Sequence, residues 1–356
     1  MNKTEITRRK FIELAAMVTG GVLLGTVDPT SNFLGSQFGK MSKCVPRIKV
    51  LGIGQAGCNS VEYMMDMGLK GVEFIVANAD LRALESCSCP LKISMCGKSN
   101  PKGFCCWGDP ERGYLVTLES KETIKRYLKD ADVVIVVGGM GAGLGSGGAP
   151  VVARIGQSIG AWTISVVTTP FDFEGRIRLA KAANGVRQLE EIADMTAVIP
   201  LSGLRLMIPG STTLGAAFRM ADELLLLVVR AFTNLLVSLD TNVFSLEFAE
   251  IRRRYSHLGK ASMGIGVGGM NGLTEAMREA IHSPLLGGFN LEMAKVVVVN
   301  IRYSEKTTLG ELQHAFELVE KEIHRETDFV LNPVPDATGK CMVTLIGAGS
   351  NDSKKR

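Results

Sequence analysis

Gly138-Gly139-Met140-Gly141-Ala142-Gly143-Leu144-Gly145-Ser146-Gly147-Gly148-Ala149-Pro150 holds seven glycines in thirteen residues. It follows the apolar run Ala131-Asp132-Val133-Val134-Ile135-Val136-Val137 and precedes Val151-Val152-Ala153-Arg154-Ile155. A β-branched run, a glycine loop and then a helical pattern describe a strand feeding a helix N-terminus, where free N–H groups and the helix dipole favour an anion. Gly141, Gly143, Gly145 and Gly147 allow positive φ and let the backbone come close to a ligand with no Cβ in between. The stretch therefore reads as a phosphate cradle. No Gly-Lys-Ser/Thr closes it, so it is not a P-loop.

Upstream, Ile48-Lys49-Val50-Leu51-Gly52-Ile53-Gly54 reads as a buried strand running into the loop Gly54-Gln55-Ala56-Gly57-Cys58-Asn59, with a helical pattern from Ser60 to Met67. Gly52, Gly54 and Gly57, with Asp80 about twenty residues on, also fit the dinucleotide fingerprint of a Rossmann enzyme. A dinucleotide site needs one glycine loop, whereas this chain has a second at 138–148. No convergent His, Tyr–Lys or metal set supports hydride transfer.

Gly141-Ala142-Gly143-Leu144-Gly145-Ser146-Gly147 resembles the Gly-Gly-Gly-Thr-Gly-Ser/Thr-Gly signature of the tubulin and FtsZ superfamily, and the Ala-Pro-Val after it is FtsZ-like. The first loop is close to tubulin's own. The stretch Gly71 to Leu84, containing Asn78-Ala79-Asp80, resembles the second FtsZ strand and its Asn-Thr-Asp loop. Thr168-Thr169-Pro170-Phe171-Asp172-Phe173-Glu174-Gly175-Arg176-Ile177-Arg178 resembles the stretch from which a glutamate and an arginine reach ribose and phosphate, so Glu174 and Arg178 take those roles by resemblance, against the alternative of an i,i+4 ion pair. A long apolar helix is expected from Thr212 to Val237. On it, Phe218 would stack on guanine and Asp222 would accept from its N1–H and 2-amino group, with Asn59 the matching contact from the first loop.

Departures from the family accompany these matches. Gly103-Phe104-Cys105-Cys106-Trp107-Gly108-Asp109-Pro110-Glu111 puts bulky residues where the family has a small loop around the γ-phosphate. Leu144 replaces Thr, and Leu201-Ser202 replaces Asn-Asp. Asn242 to Arg252 resembles the loop that one subunit inserts into its neighbour's nucleotide site, with Ser245 for Asn and with Glu247 and Glu250 as the acids that polarise the attacking water. From Gly259 to Gly349 the match continues as a smaller α/β domain, ending in two helix-and-strand units.

With 356 residues, 46% hydrophobic and 21% charged, the chain can bury a large core and has room for two domains. The net charge of +4 is scattered rather than striped, so composition gives nucleic-acid binding no support. Of the 8 cysteines, Cys87, Cys89, Cys96, Cys105 and Cys106 cluster without a Cys-x-x-Cys pair, which favours reduced thiols over a metal site. Thr7-Arg8-Arg9-Lys10-Phe11-Ile12 and the mildly apolar residues after it resemble a twin-arginine export signal, with Glu13 and the missing Ala-x-Ala site arguing against.

The resemblance implies a Rossmann-like GTP-binding domain (46–211), a central helix (212–237) and a C-terminal domain (238–349), flanked by an N-terminal extension (1–45) and a tail (350–356). It implies GTP or GDP with Mg²⁺, bound by Gly54, Gln55, Ala56, Gly57, Asn59, Gly141, Ala142, Gly143, Leu144, Gly145, Ser146, Glu174, Arg178, Phe218 and Asp222. Hydrolysis would await Glu247 and Glu250 of the next subunit in a head-to-tail homopolymer acting in division or a related cytoskeletal role. The alternative is a nucleotide-binding scaffold, or a regulator of other FtsZ-family filaments, with little turnover. A cytoplasmic location is expected, with export or membrane contact through the N-terminus as the alternative.

Overall fold

In the computed structural model, residues 46–96, 98, 102, 106, 108–237, 248–268, 272–335 and 341–349 are described. The first half alternates strand and helix: β1 (Ile48–Ile53), α1 (Gly54–Asp66), β2 (Val72–Asn78), α2 (Leu81–Ser86), β3 (Lys92–Ser94), α3 (Pro110–Glu119), α4 (Lys121–Leu128) and β4 (Val133–Gly139). A π-helical turn (Leu144–Gly148) opens α5 (Ala149–Ser158), followed by β5 (Trp162–Thr169), a single 3-10 turn, α6 (Arg176–Ile192), β6 (Met195–Pro200) and α7 (Leu201–Met207). Then come α8 (Leu214–Val237), α9 (Phe248–Tyr255), β7 (Gly259–Gly268), α10 (Gly272–Ile281), β8 (Val296–Tyr303), α11 (Leu309–Glu322), β9 (Asp328–Pro335) and β10 (Cys341–Ala348).

The strands form one ten-stranded sheet in the order β3-β2-β1-β4-β5-β6-β7-β10-β8-β9. β1 pairs in parallel with β2 on one side and β4 on the other, and β10 runs antiparallel between β7 and β8. The β-branched runs suit strands covered on both faces. Val133, Ile135 and Val137 of β4 enter one apolar core while Val134 and Val136 enter the other. A third core fills the space among α10, α11, β8 and β10.

Because chain order reverses between β1 and β4, their C-terminal ends flank the crevice where open α/β sheets bind ligands. Both glycine loops leave from this point: Ile53, the last residue of β1, lies opposite Gly138 of β4. The long helix α8 starts at Leu214, two residues later than the pattern suggests, and Leu224 to Val229 are buried all round.

Three local expectations are corrected. The helix after β1 begins at Gly54 rather than Ser60, so the first loop is the opening turns of α1. Among the described residues, the end of the chain holds one helix, α11, and two strands, β9 and β10, instead of two helix-and-strand units. Asp80, the acid of the dinucleotide fingerprint, is the N-cap of α2 and accepts from the amides of Arg82 and Ala83. No disulfide bridges Cys58, Cys87, Cys89, Cys96, Cys106 or Cys341, and all of these except Cys96 are buried. Burial pushes the Cys58 thiol up to about 12.

Candidate functional site

Of the four glycines read as positive-φ positions, only Gly141 has positive φ (91°); Gly143 adopts φ −59° as a helical residue. The other three are needed for close approach. A Cβ on Gly143 would lie 2.7 Å from the Cys106 Cβ, one on Gly145 would overlap the carbonyl of Gly139, and one on Gly147 that of Pro110. The loop is thus pressed between the end of β4 and the start of α3, whose N-terminus is formed by Asp109 accepting from the Glu111 amide and by Pro110 in the first turn. Ser146 is buried, and its hydroxyl accepts from the Gly141 amide at 2.8 Å, closing the cradle on itself. The Leu144 side chain is 6% exposed and belongs to the core, so only its backbone faces the crevice chemistry.

The first loop lies beside this cradle. Gly54 has φ 71°, and a Cβ there would come within 3.2 Å of the Leu144 Cβ. Gly57 is packed against the Val137 carbonyl, where a side chain would not fit. Gln55 and Asn59 are exposed one turn apart, and the Gln55 amide donates to Asn59 Oδ1 at 2.7 Å.

After β5, Glu174 accepts from the Phe171 amide at 2.8 Å and pairs with Arg178 at 3.1 Å. The two side chains read as ribose and phosphate contacts therefore hold one another as an i,i+4 pair. Phe171 is buried, stacks on Phe173 at 5.0 Å and meets the edge of Phe218 at 6.1 Å. Phe218 keeps 45% of its surface exposed, a flat apolar face in the open crevice. One turn on, Asp222 takes a 2.6 Å hydrogen bond from the Ser60 hydroxyl of α1. Burial pushes the Asp222 carboxyl above its ordinary value, and the Ser60 bond partly offsets this.

Most of the bulky loop at 103–109 lies outside the described residues, but Cys106 is buried against Gly143 and the Lys181 ammonium of α6 donates to the Gly108 carbonyl at 2.6 Å. Glu247 also lies outside the described residues. Glu250 sits in the first turn of α9 and pairs with Arg254, which reaches Asp328 at 3.4 Å. The start of α9 shares a groove with Ala161 and Asp194, the residues preceding β5 and β6. It therefore stands at the N-terminal ends of the parallel strands, while the glycine loops follow their C-terminal ends. The site residues from 54 to 222 come together; Glu250 does not join them within one chain.

Ser60, Phe171 and Lys181 carry no role in the sequence reading. Ser60 follows Asn59 directly, but its partner lies 162 positions away and no local signal joins them.

The Tubulin/FtsZ family GTPase-domain model matches residues 47–208, and the FtsZ family C-terminal-domain model matches residues 259–351. A cell division protein FtsZ from Rickettsia conorii is 35% identical over 313 residues, covering 87% of this chain and 69% of the relative. The chain belongs to the FtsZ family. This membership decides against the dehydrogenase reading of the first glycine loop and makes the protein an FtsZ-like GTP-binding cytoskeletal protein. A solved empty FtsZ dimer from M. jannaschii superposes with a TM-score of 0.79 at 30% identity, covering 87% of this chain and 90% of that one. The GTPγS-bound protofilament of CetZ2 from Haloferax volcanii shares the fold alone, at 18% identity and TM-score 0.71, covering 86% and 94% of the two chains.

Proposed function

We propose that this FtsZ-family protein hydrolyses GTP at a site completed by the next subunit of a head-to-tail filament. The observation that carries the reading is the separation of its parts: the glycine loops, Phe218 and Asp222 lie at the C-terminal ends of the strands, and Glu250 at the N-terminal ends. A group that cannot reach the phosphates within its own chain can reach those of a neighbour stacked on the same axis. Such a heterologous contact generates a filament. Backbone amides of 54–57 and 141–146 bind the phosphates, Glu174 and Arg178 exchange their mutual bond for ribose and phosphate, and Phe218 and Asp222 hold guanine. Glu247 and Glu250 of the neighbour orient and polarise the water. Mg²⁺ bound together with the nucleotide at the glycine loops would neutralise phosphate charge there.

The same reading assigns 46–211 to nucleotide binding, 212–237 to the central helix and 238–349 to the domain that supplies the acids. It places the protein in the cytoplasm, in division or a related filament, with the basic extension 1–45 in contact with a membrane surface. A scaffold without turnover is favoured by one observation: Glu250 is engaged by Arg254, which must release it before it can act on water. Phosphate release from GTP, measured over a range of protein concentrations alongside sedimentation, separates the two. Turnover that rises steeply above a threshold with pelleting supports the shared site, whereas pelleting with GTP bound and no phosphate released establishes the scaffold.

A further inference from the structure

We propose that Ser60 is a positioning residue for base recognition, its hydroxyl holding the Asp222 carboxylate in the orientation that accepts from guanine. The inference rests on the guanine reading of Asp222 given above. Ser60 is wholly buried, one residue beyond Asn59 on the helix whose opening turns form the first nucleotide loop. Asp222 lies one turn beyond Phe218 on α8, and the α1–α8 contact brings Ser60 Oγ within 2.6 Å of Asp222 Oδ1. That distance belongs to a hydrogen bond from a hydroxyl to an ionised acceptor.

Ser60 Oγ also lies 2.9 Å from the Ala56 carbonyl, but a hydroxyl has one proton and both neighbours are acceptors. The carboxylate is the stronger acceptor, and the Ala56 carbonyl already has the amide partner that the helix ladder supplies. Among the described residues no Lys or Arg pairs with Asp222, so the Ser60 hydroxyl is its side-chain donor. This bond restrains the carboxylate's rotation and, among the described residues, leaves Oδ2 and the remaining lone pairs of Oδ1 unclaimed by side chains. Guanine presents N1–H and a 2-amino group side by side, and two carboxylate oxygens held in one plane accept both. Adenine has an acceptor at N1 and gains nothing from the arrangement. Ser60 therefore acts on the choice of base rather than on phosphate binding or hydrolysis. The device links the first nucleotide loop to the base site, because the helix that begins with Gly54-Gln55-Ala56-Gly57 also carries the hydroxyl that aims Asp222.

The test measures GTP binding, ATP binding by competition, and steady-state KM and kcat, for the full chain and its Ser60→Ala and Ser60→Thr variants, with a thermal melt of each. Ser60→Ala is expected to weaken GTP roughly tenfold, about 1.4 kcal/mol, to leave ATP unchanged, and to raise KM without lowering kcat. Ser60→Thr keeps the hydroxyl and is expected to recover most of the loss. Should Ser60→Ala melt out, Ser60→Cys preserves the volume with a weaker donor and gives an intermediate loss. A Ser60→Ala protein that binds GTP as tightly as the parent, or that loses GTP and ATP equally, overturns the role of Ser60. A parent protein that does not prefer GTP to ATP overturns the guanine reading of Asp222, and the inference with it.

Discussion

Asp222 is a carboxylate in a place that resists its charge. Burial raises its pKa above the ordinary 3.8 and the Ser60 donor pulls it part of the way back; the nearby Tyr63 hydroxyl of α1 is itself pushed up, by burial first and then by Glu223 and Asp222, with Arg230 acting against them. For folding, a raised carboxyl contributes stability that is fully present below the ordinary carboxylate value and is lost as pH rises through the folded value. For guanine the sign reverses, because only the ionised form accepts two donors. GTP affinity is therefore expected to fall as pH drops from neutrality through the raised pKa of Asp222. Asp222→Asn, with one acceptor oxygen and no charge to lose, should bind GTP more weakly at neutral pH and show a flat profile over the same range. Calorimetric titration at several pH values reads both. A parallel fall in the parent and in Asp222→Asn would assign the pH dependence to another group.

The element that most depends on its surroundings is the cradle between β4 and α5. Its glycines are permissive in two different ways, and sequence alone does not distinguish them. Gly141 needs positive φ, whereas Gly145 and Gly147 sit in the π-helical turn without positive φ and are held to glycine by carbonyl oxygens of Gly139 and Pro110. Gly145→Ala forces apart the end of β4 and the π-helical turn, and overpacking of this kind costs about 1–3 kcal/mol. Gly210→Ala is the control, since nothing lies within 4 Å of its added methyl. Denaturant melts should show the loss in the first and near-neutrality in the second, with nucleotide binding impaired only in Gly145→Ala. In α8, the all-round apolar pattern announces burial, and its start is the part that the pattern misplaces by two residues.

At the scale of the molecule, the sheet order decides what one copy can do alone. With Glu250 at the far end of the strands from the glycine loops, the proposed shared site predicts complementation between two defective chains. A Glu247→Gln, Glu250→Gln variant retains the nucleotide loops, and an Asp222→Ala variant retains the acids. Each is expected to release phosphate at less than a tenth of the parent rate. Their equimolar mixture should recover part of it, because the first binds GTP and the second supplies the acids from the adjoining position. The mixture is assayed with Mg²⁺ above the concentration at which the parent pellets. Two variants whose mixed rate is only the sum of their separate rates would place both halves of the site in one chain.

Local spacing and composition were enough for the sheet-and-helix alternation, the two glycine loops, the pairing of Phe218 with Asp222 on one helix face, and the family resemblance. Each depends on residues a few positions apart, where chain geometry alone puts side chains together. Tertiary structure decided the remainder. It showed that the first loop is already helix, that Asp80 is a helix cap, that three of the cradle glycines serve close packing, and that Leu144 faces the core. It also set Ser60 against Asp222 and put Glu250 at the opposite end of the strands. For the Ser60–Asp222 bond, the packing of Gly143 and Gly147, and the placing of Glu250 the physical reason is the same: each turns on segments far apart in the chain, whose approach is set by strand order and helix packing, whereas the Asp80 cap and the helical first loop are local choices that several competing patterns fit equally well.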